Sequence, residues 1–212
     1  GDVTVRGADA LRECTNKFDG ADLASLEVPS AEWNGALARL PREVQDALKG
    51  EHANIERFHR ALLPAAIEID VVPGLRAGRR IVPHHRIGAY VPGGRAAYPS
   101  TVLMTTTPAK VAGVREVIVV TPPGKNGKIP DATLAACAIA GVDRVFAVGG
   151  AQAIFALAHG TASIPKVYKI VGPGNAWASA AKAAVAWHTP IDSPAGPPQL
   201  LERPRRPPIA HP

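Results

Sequence analysis

The sequence predicts an α/β fold in which helices flank a parallel sheet and a mainly helical region precedes it. Three observations support this prediction. Helical periodicity dominates up to about residue 66, and short apolar runs alternate with Ala-rich segments after residue 86. Glycine-containing loops follow three of these apolar runs. Strands and helices in regular alternation are typical of right-handed βαβ units.

Residues 4–66 are predicted to be helical. The clearest helix begins near Pro41, which suits the first turn of a helix. It carries apolar residues at helical spacing: Val44, Leu48, Ile55, Phe58 and Leu62. We interpret it as a packing helix. Residues 67–83 follow, with Gly74, Gly78 and three arginines, and are predicted to form strands or a hairpin.

Four apolar runs after residue 86 are predicted strands: residues 87–91, 117–120, 145–148 and 167–171. A run that is apolar throughout is expected where both faces of a parallel sheet are covered. Helices are predicted after each run. Ser100 and Asp131 are candidate N-caps of the first two, and Pro108 is expected to kink the first. Gly141 and Gly160 are expected to end the second and third helices.

The glycine loops lie at residues 93–94, 149–150 and 172–174. Because the carboxyl ends of parallel strands share one edge of a sheet, these loops should converge on one rim, where α/β sheets bind ligands. The dinucleotide fingerprint G-x-G-x-x-G is incomplete, since Trp177 occupies the place of its third glycine. The residues alone leave two interpretations open. The glycines either expose backbone amides to a polar ligand or only allow tight turns.

Composition argues against several classes of protein. The net charge of +6 accompanies no recognised nucleic-acid-binding module, so no nucleic acid partner is predicted. No apolar run reaches the length of a membrane span and no signal peptide is recognisable, which predicts a cytoplasmic location without a membrane partner. Cys14 and Cys137 are predicted to be reduced, buried thiols.

The histidines and the proline-rich C-terminal residues carry two further predictions. The spacing of four histidines does not resemble a zinc-binding set, so they are expected to be surface or packing residues: His84, His85, His159 and His188. Residues 198–212 are rich in proline and arginine. Proline at this density is incompatible with a helix interior or a strand ladder, which predicts a disordered tail.

A series of motifs runs through the chain: residues 90–94 (YVPGG), 99–104 (PSTVLM), 108–113 (PAKVAG), 148–154 (VGGAQAI), 164–167 (IPKV), 169–175 (KIVGPGN) and 191–197 (IDSPAGP). In order and approximate spacing they resemble the histidinol dehydrogenase family. Weaker matches occur at residues 17–20 (KFDG) and 57–59 (RFH), so the resemblance covers roughly residues 4–197. It corresponds to the N-terminal half of the family, followed by an unrelated tail.

The resemblance implies an oxidoreductase of histidine biosynthesis, a zinc-containing homodimer that oxidises L-histidinol to L-histidine with NAD. It implies two incomplete Rossmann-like domains. Here they correspond to an incomplete helical or α+β first domain at residues 1–85 and a Rossmann-like NAD-binding domain at residues 86–197, before the tail at residues 198–212. The NAD contacts of the family carry over to Tyr90, Gln152 and Asn175.

The chain also departs from the family. Pro198 stands where the family has a substrate-binding Ser or Thr, and the start lacks the family's first helical elements. The zinc ligands and the catalytic Glu-His pair lie further along the family's sequence, so no catalytic or metal-binding residue is assigned here. Two expectations follow. In the first, the chain is one half of the enzyme, and its partner is a copy of itself or a missing C-terminal half. In the second, it is a catalytically inactive truncated remnant that keeps a folded NAD-binding-like domain.

Overall fold

The computed structural model describes residues 2–93 and 96–192. The helices within these residues are α1 Asp2–Arg6, α2 Ala8–Asp19, α3 Ser30–Asn34, α4 Ala36–Arg39, α5 Arg42–Ala61, α6 Pro99–Val111, α7 Asp131–Ile139, α8 Gly150–His159 and α9 Ala176–Val185. The strands are β1 Glu27–Val28, β2 Ile67–Val72, β3 Leu75–Arg79, β4 Arg86–Tyr90, β5 Glu116–Thr121, β6 Arg144–Ala147 and β7 Ile170–Val171. The predicted tail at residues 198–212 lies outside the described part.

The main sheet has the strand order β1-β6-β5-β4-β7. Strands β6, β5, β4 and β7 are parallel, which confirms the predicted mostly parallel α/β sheet. Five of the six residues of β5 are buried, because helices cover both faces. The chain leaves β4 towards β5 on one side and returns to β7 on the other. Strand β4 is therefore the point at which the strand order reverses.

The two faces of the sheet are covered by different helices. Val117 and Val119 of β5 pack in one apolar core with Leu103 of α6 and Leu134 of α7. The alternate residues of β5 pack in the opposite core, with α8 and α9. The period-2 alternation of a strand thus divides one apolar run between two cores.

The N-terminal region contributes to both cores and to the sheet itself. Leu48 and Ile55 of α5 are buried in the α6–α7 core, whereas Leu11 of α2 is buried in the α8–α9 core. Strand β1 pairs antiparallel with β6, and a two-residue strand is too short for its period to be recognised in the sequence. The division of the chain at residue 85 stays a prediction.

Two of the predicted helix caps are wrong. Helix α6 begins at Pro99 with Tyr98 as its N-cap, so Ser100 lies inside the first turn. Helix α7 begins at Asp131, and the carboxylate of Asp131 accepts hydrogen bonds from Arg39 at 2.6–3.1 Å instead of capping the helix. In each helix a proline occupies or adjoins the cap position and fixes where the helix begins.

The helix ends agree with the prediction. Gly160 ends α8 with φ +79°, and Gly141 follows the last turn of α7 with φ +66°. The amide of Val142 donates to the carbonyl of Cys137 at 3.0 Å, which satisfies a carbonyl at the end of α7. Helix α6 continues through Pro108, the position of the predicted kink.

Strand β7 is shorter than predicted. Residues 167–171 were expected to form it, but only Ile170 and Val171 belong to the ladder. The amide of Val167 instead donates to the carbonyl of Leu157 in α8, at 2.9 Å. The backbone of Lys169 still contacts β4, because its carbonyl accepts from the amide of Gly88 at 2.9 Å.

Strands β2 and β3 form the predicted hairpin, and Gly74 lies in its turn with φ +84°. Every residue of the hairpin is exposed. The apolar stripe of α5 is covered only in part, since Leu48 and Ile55 are buried and Phe58 is exposed. Within the described residues, no helix has the length and apolar character needed to cross a membrane.

Candidate functional site

A cavity of about 540 Å³ opens at the carboxyl ends of the parallel strands. The three residues predicted to bind NAD line it together: Tyr90 at the end of β4, Gln152 in the first turn of α8, and Asn175 in front of α9. Gly93 and Gly150, from two of the predicted glycine loops, also line it. The convergence on one rim follows from parallel strand ends and from the reversal of strand order at β4.

Tyr90 lines the cavity and is 3% exposed. Its hydroxyl oxygen accepts a hydrogen bond from the amide of Gly150 at 3.2 Å, so the hydroxyl proton is left to donate to another acceptor. Burial raises the pKa of Tyr90 above its ordinary value, and the phenol is neutral at pH 7. The side chain thus offers one O–H donor to the cavity.

Asn175 has a structural role that the sequence reasoning did not consider. It is the N-cap of α9, and its Oδ1 accepts a hydrogen bond from the amide of Ala178 at 3.0 Å. Because the oxygen is used in this way, the amino group of the side chain is the part that remains for a ligand. The cap therefore sets the orientation of the amide plane.

The side-chain amide of Gln152 lies close to the backbone of Gly150. Gly150 has φ +67°, and a Cβ at this position would stand 2.6 Å from Oε1 of Gln152. Helices α8 and α9 both begin at the cavity wall, with Gln152 in the first turn of one and Asn175 in front of the other. Amides in the first turn of a helix lack intrahelical partners and favour negative charge, so two N-termini at one cavity suit an anionic ligand.

The loop between β7 and α9 is fixed by an ion pair behind the site. The Lys182 ammonium donates to the carbonyl of Gly172 at 2.9 Å and is paired with the Asp192 carboxylate. The other carboxylate oxygen of Asp192 accepts from the amide of Gly172 at 2.7 Å. Gly172 has φ +108°, and a Cβ there would stand 2.1 Å from the carbonyl oxygen of Tyr90. Glycine is required at this close approach.

His159 and His188 are neighbours in an aromatic cluster with Phe155. The ring centroids of His159 and His188 lie 6.2 Å apart, and Phe155 stacks on His159. Across residues 2–93 and 96–192, no group of three or more His, Cys, Asp or Glu side chains is placed to hold a metal ion. Both cysteines are free thiols, with Cys137 buried and Cys14 only half-buried.

Among the lining residues that were not assigned to the site from the sequence, three carry aromatic or charged side chains: Phe18, Asp19 and Trp177. Phe18 is 68% exposed and Trp177 is 76% exposed, so both offer aromatic surface at the mouth. The side chain of Asp19 is half-buried, and burial raises the pKa of its carboxyl. The weak KFDG motif at residues 17–20 was the signal that could have identified Phe18 and Asp19.

The chain was compared with models of protein families and with curated proteins. The family model described as histidinol dehydrogenase matches residues 1–201. Among curated relatives, histidinol dehydrogenase of Methanosarcina barkeri is 50% identical over 201 residues, covering 94% of this chain and 46% of the relative. The enzyme of Oceanobacillus iheyensis is 46% identical over 198 residues, covering 93% of this chain and 46% of the relative.

A solved structure shows the same fold. The crystal structure of histidinol dehydrogenase from Elizabethkingia anophelis superimposes with a TM-score of 0.89 at 38% sequence identity. The match covers 92% of this chain and 46% of that one. The chain thus spans somewhat less than half the length of the relatives that it matches.

Proposed function

Because the chain belongs to the histidinol dehydrogenase family, we propose that it binds NAD in the cavity at the carboxyl edge of the sheet. We further propose that it takes part in the NAD-dependent oxidation of L-histidinol to L-histidine. The observation that carries the proposal is the convergence of Tyr90, Gln152 and Asn175 on one cavity. Tyr90 ends β4, Gln152 and Asn175 follow β6 and β7, and the fold brings the three together.

The chemistry of the cavity fits a dinucleotide. Its volume of about 540 Å³ lies within the range of ligand pockets. The N-termini of α8 and α9 supply the positive potential that a pyrophosphate needs. Phe18 and Trp177 supply aromatic surface for a base, and the side chains of Gln152 and Asn175 supply amide donors. The cavity therefore has a complementary group for the anionic, the aromatic and the polar parts of NAD.

NAD bound here would supply a carbon that accepts a hydride from the substrate, and oxidation of the alcohol to the acid would use two NAD molecules in turn, with water adding to the intermediate aldehyde before the second hydride leaves. The residues of this chain hold the cofactor for that step. The neutral Tyr90 phenol and the amino group of Asn175 donate hydrogen bonds, while Gly172 lets the loop before α9 approach the end of β4 closely. The family resemblance also implies zinc, but the described residues offer it no ligand set.

Titration of the 212-residue chain with NAD tests the proposal. Gln152→Ala removes an amide from the cavity wall and should weaken NAD binding about fivefold, the equivalent of one hydrogen bond. Gln45→Ala is the matched control, because Gln45 on α5 donates from its side chain to the carbonyl of Leu40, which precedes the helix, and does not line the cavity. The control should bind NAD like the parent chain.

Two results would contradict the proposal. Absence of NAD binding at millimolar concentration would show that the cavity has no cofactor function in this chain. Binding that is equally strong in the parent and the Gln152→Ala variant would place NAD elsewhere. Turnover of L-histidinol, measured as NADH formation, separates the enzyme from a folded NAD-binding domain without activity.

A further inference from the structure

Helix α9 is apolar on both of its sides. Its inner side belongs to the α8–α9 core. The one charged residue of the helix, Lys182, is also turned inwards, where it is buried and paired with Asp192. The exposed residues of the outer side are all alanine or tryptophan, and we call six of them the α9 face: Ala176, Trp177, Ala180, Ala183, Ala184 and Trp187, the last of which follows the helix.

An apolar outer side is unusual for a helix on the surface of a protein. Surface helices normally turn polar residues towards water, and a helix that is apolar all round is normally buried. Counted from Ala176, exposed residues recur at i+4, i+7, i+8 and i+11, so they lie along one side of the helix. The Trp187 side chain at the end of this face is 95% exposed. Apolar surface of this kind marks an interaction site.

We propose that a second copy of the chain covers the α9 face, with the two α9 helices packed antiparallel about a two-fold axis. The face is complementary to itself, because its bulky residues, Trp177 and Trp187, stand at its two ends and alanines lie between them. In an antiparallel pair, Trp187 of each copy lies beside Trp177 of the other. The alanines let the two helix axes approach closely. Two-fold contacts between identical surfaces are the commonest form of oligomer.

The charge of the chain favours this face over the rest of the surface. With a net charge of +6, two copies repel each other, and contact through an uncharged face adds the least repulsion. The α9 face carries no charged side chain. A nucleic acid or an acidic protein would need basic residues here, so the face suits a second copy better than an anionic partner.

The area of the face fits a weak dimer. Trp177 is 76% exposed and Trp187 is 95% exposed. With up to about 250 Å² for a whole tryptophan side chain, the two offer about 400 Å² in each copy and about 800 Å² in the pair. The exposed alanines raise this towards the roughly 1,000 Å² that a specific interface needs. We therefore expect a dissociation constant on the order of 10 μM.

Sedimentation of the 212-residue chain between about 1 and 100 μM, without NAD, tests the inference, which does not depend on cofactor binding. The parent chain should pass from monomer to dimer over this range. Ala180→Glu places a charge in the middle of the face, and Trp187→Ala removes its most exposed side chain. Each should raise the dissociation constant at least about tenfold. Since both residues are exposed, far-ultraviolet circular dichroism and the Tm should show that the variants are folded.

Two matched controls make the same changes on the outer side of α5. Ala53→Glu replaces an exposed alanine in the middle of a helix, and Phe58→Ala removes an aromatic side chain that is 61% exposed. Both should form dimers like the parent chain. Dimers that weaken equally in the controls and in the α9 variants would overturn the inference, because the effect would not belong to α9.

Three other results would also overturn the inference. A parent chain that stays monomeric at about 100 μM has no such interface. A dimer that Ala180→Glu and Trp187→Ala leave intact is formed by another surface, such as the exposed hairpin of β2 and β3. Acrylamide quenching, compared between the parent chain and Trp187→Phe, reports the exposure of Trp187. Protection of Trp187 in the monomer would show that the chain covers the α9 face itself.

Discussion

Replacing Asn175 by serine and by alanine should separate its two roles. The side-chain oxygen of Asn175 caps α9 by accepting from the amide of Ala178 at 3.0 Å, and its amino group is left for the ligand. Serine at an N-cap keeps an oxygen acceptor, whereas alanine does not. Both substitutions remove the amino group. Stability should therefore distinguish the two variants, while NAD affinity should not.

The magnitudes follow from the contacts. Loss of an N-cap costs about 1 kcal/mol of protein stability, so Asn175→Ala should lower the free energy of unfolding by that amount. Asn175→Ser should stay within about 0.5 kcal/mol of the parent chain, because serine is about as good an N-cap as asparagine. Each variant loses one hydrogen bond to NAD, and the dissociation constant should rise about fivefold in both.

Urea unfolding measures the first effect and NAD titration the second. Asn126→Ser is a suitable control, because Oδ1 of Asn126 accepts from the amide of Lys128 at 3.1 Å in an exposed loop that does not line the cavity. It should leave NAD affinity unchanged. Equal stability of the serine and alanine variants would refute the capping argument. Parent-like NAD affinity in Asn175→Ser would refute the ligand contact.

Three further substitutions test the framework of the site. Lys182→Met leaves a half-buried carboxylate without its cation and should lower the free energy of unfolding by about 2 kcal/mol, measured in urea. Gly172→Ala should cost at least about 2 kcal/mol more than Gly141→Ala, because both have positive φ but only the former would bring a Cβ against backbone. The hydrogen bond from Arg144 lowers the pKa of Glu27 below its ordinary value. The pair therefore stabilises the fold above about pH 4.5 and loses this effect as the pH falls through the folded-state pKa. Glu27→Gln should cost less than about 1 kcal/mol at pH 7, since the pair is partly exposed, and the difference should vanish at low pH.

Each of these expectations has a contradicting outcome. Parent-like stability of Lys182→Met would mean that the ion pair does not hold the Gly172 loop. Similar losses in the two glycine variants would show that the loop relaxes around a methyl group. A stability difference for Glu27→Gln that persists at low pH would point to packing rather than to charge. Arg60→Met, which breaks an exposed pair on α5, should leave the free energy of unfolding close to that of the parent chain and serves as a reference.

The sheet could be predicted because its signals are local and strong. Residues 117–120 are apolar throughout, a pattern that only a strand covered on both faces explains well at that length. Gly141 and Gly160 marked helix ends because their positive φ is specific to glycine. Strand β1 escaped prediction, since two residues carry no period and its pairing with β6 is decided by tertiary packing.

The site was predictable only in part, for a similar reason. Tyr90 and Asn175 were predicted from the family resemblance, and parallel topology explains why they meet, because both stand next to strand ends. Asp19 comes from a helix that precedes the sheet, and its position depends on how α2 packs against α8 and β4. The KFDG motif marks Asp19 only through family resemblance, and no periodicity of the surrounding residues encodes that packing. The sequence also could not predict that Asn175 is both the N-cap of α9 and a candidate ligand contact, because it does not define the orientation of a side chain.

The position of β4 has a consequence for synthesis of the chain. Strand β5 can pair with one edge of β4 early, but β7 reaches the other edge only after residue 171, and Asp192 locks the Gly172 loop later still. A growing chain therefore passes through an interval in which β4 presents an unpaired row of amides and carbonyls. Such an edge is a template for pairing with other chains. We expect aggregation during translation to be highest in ribosome-bound chains that have completed β5 but not yet β7.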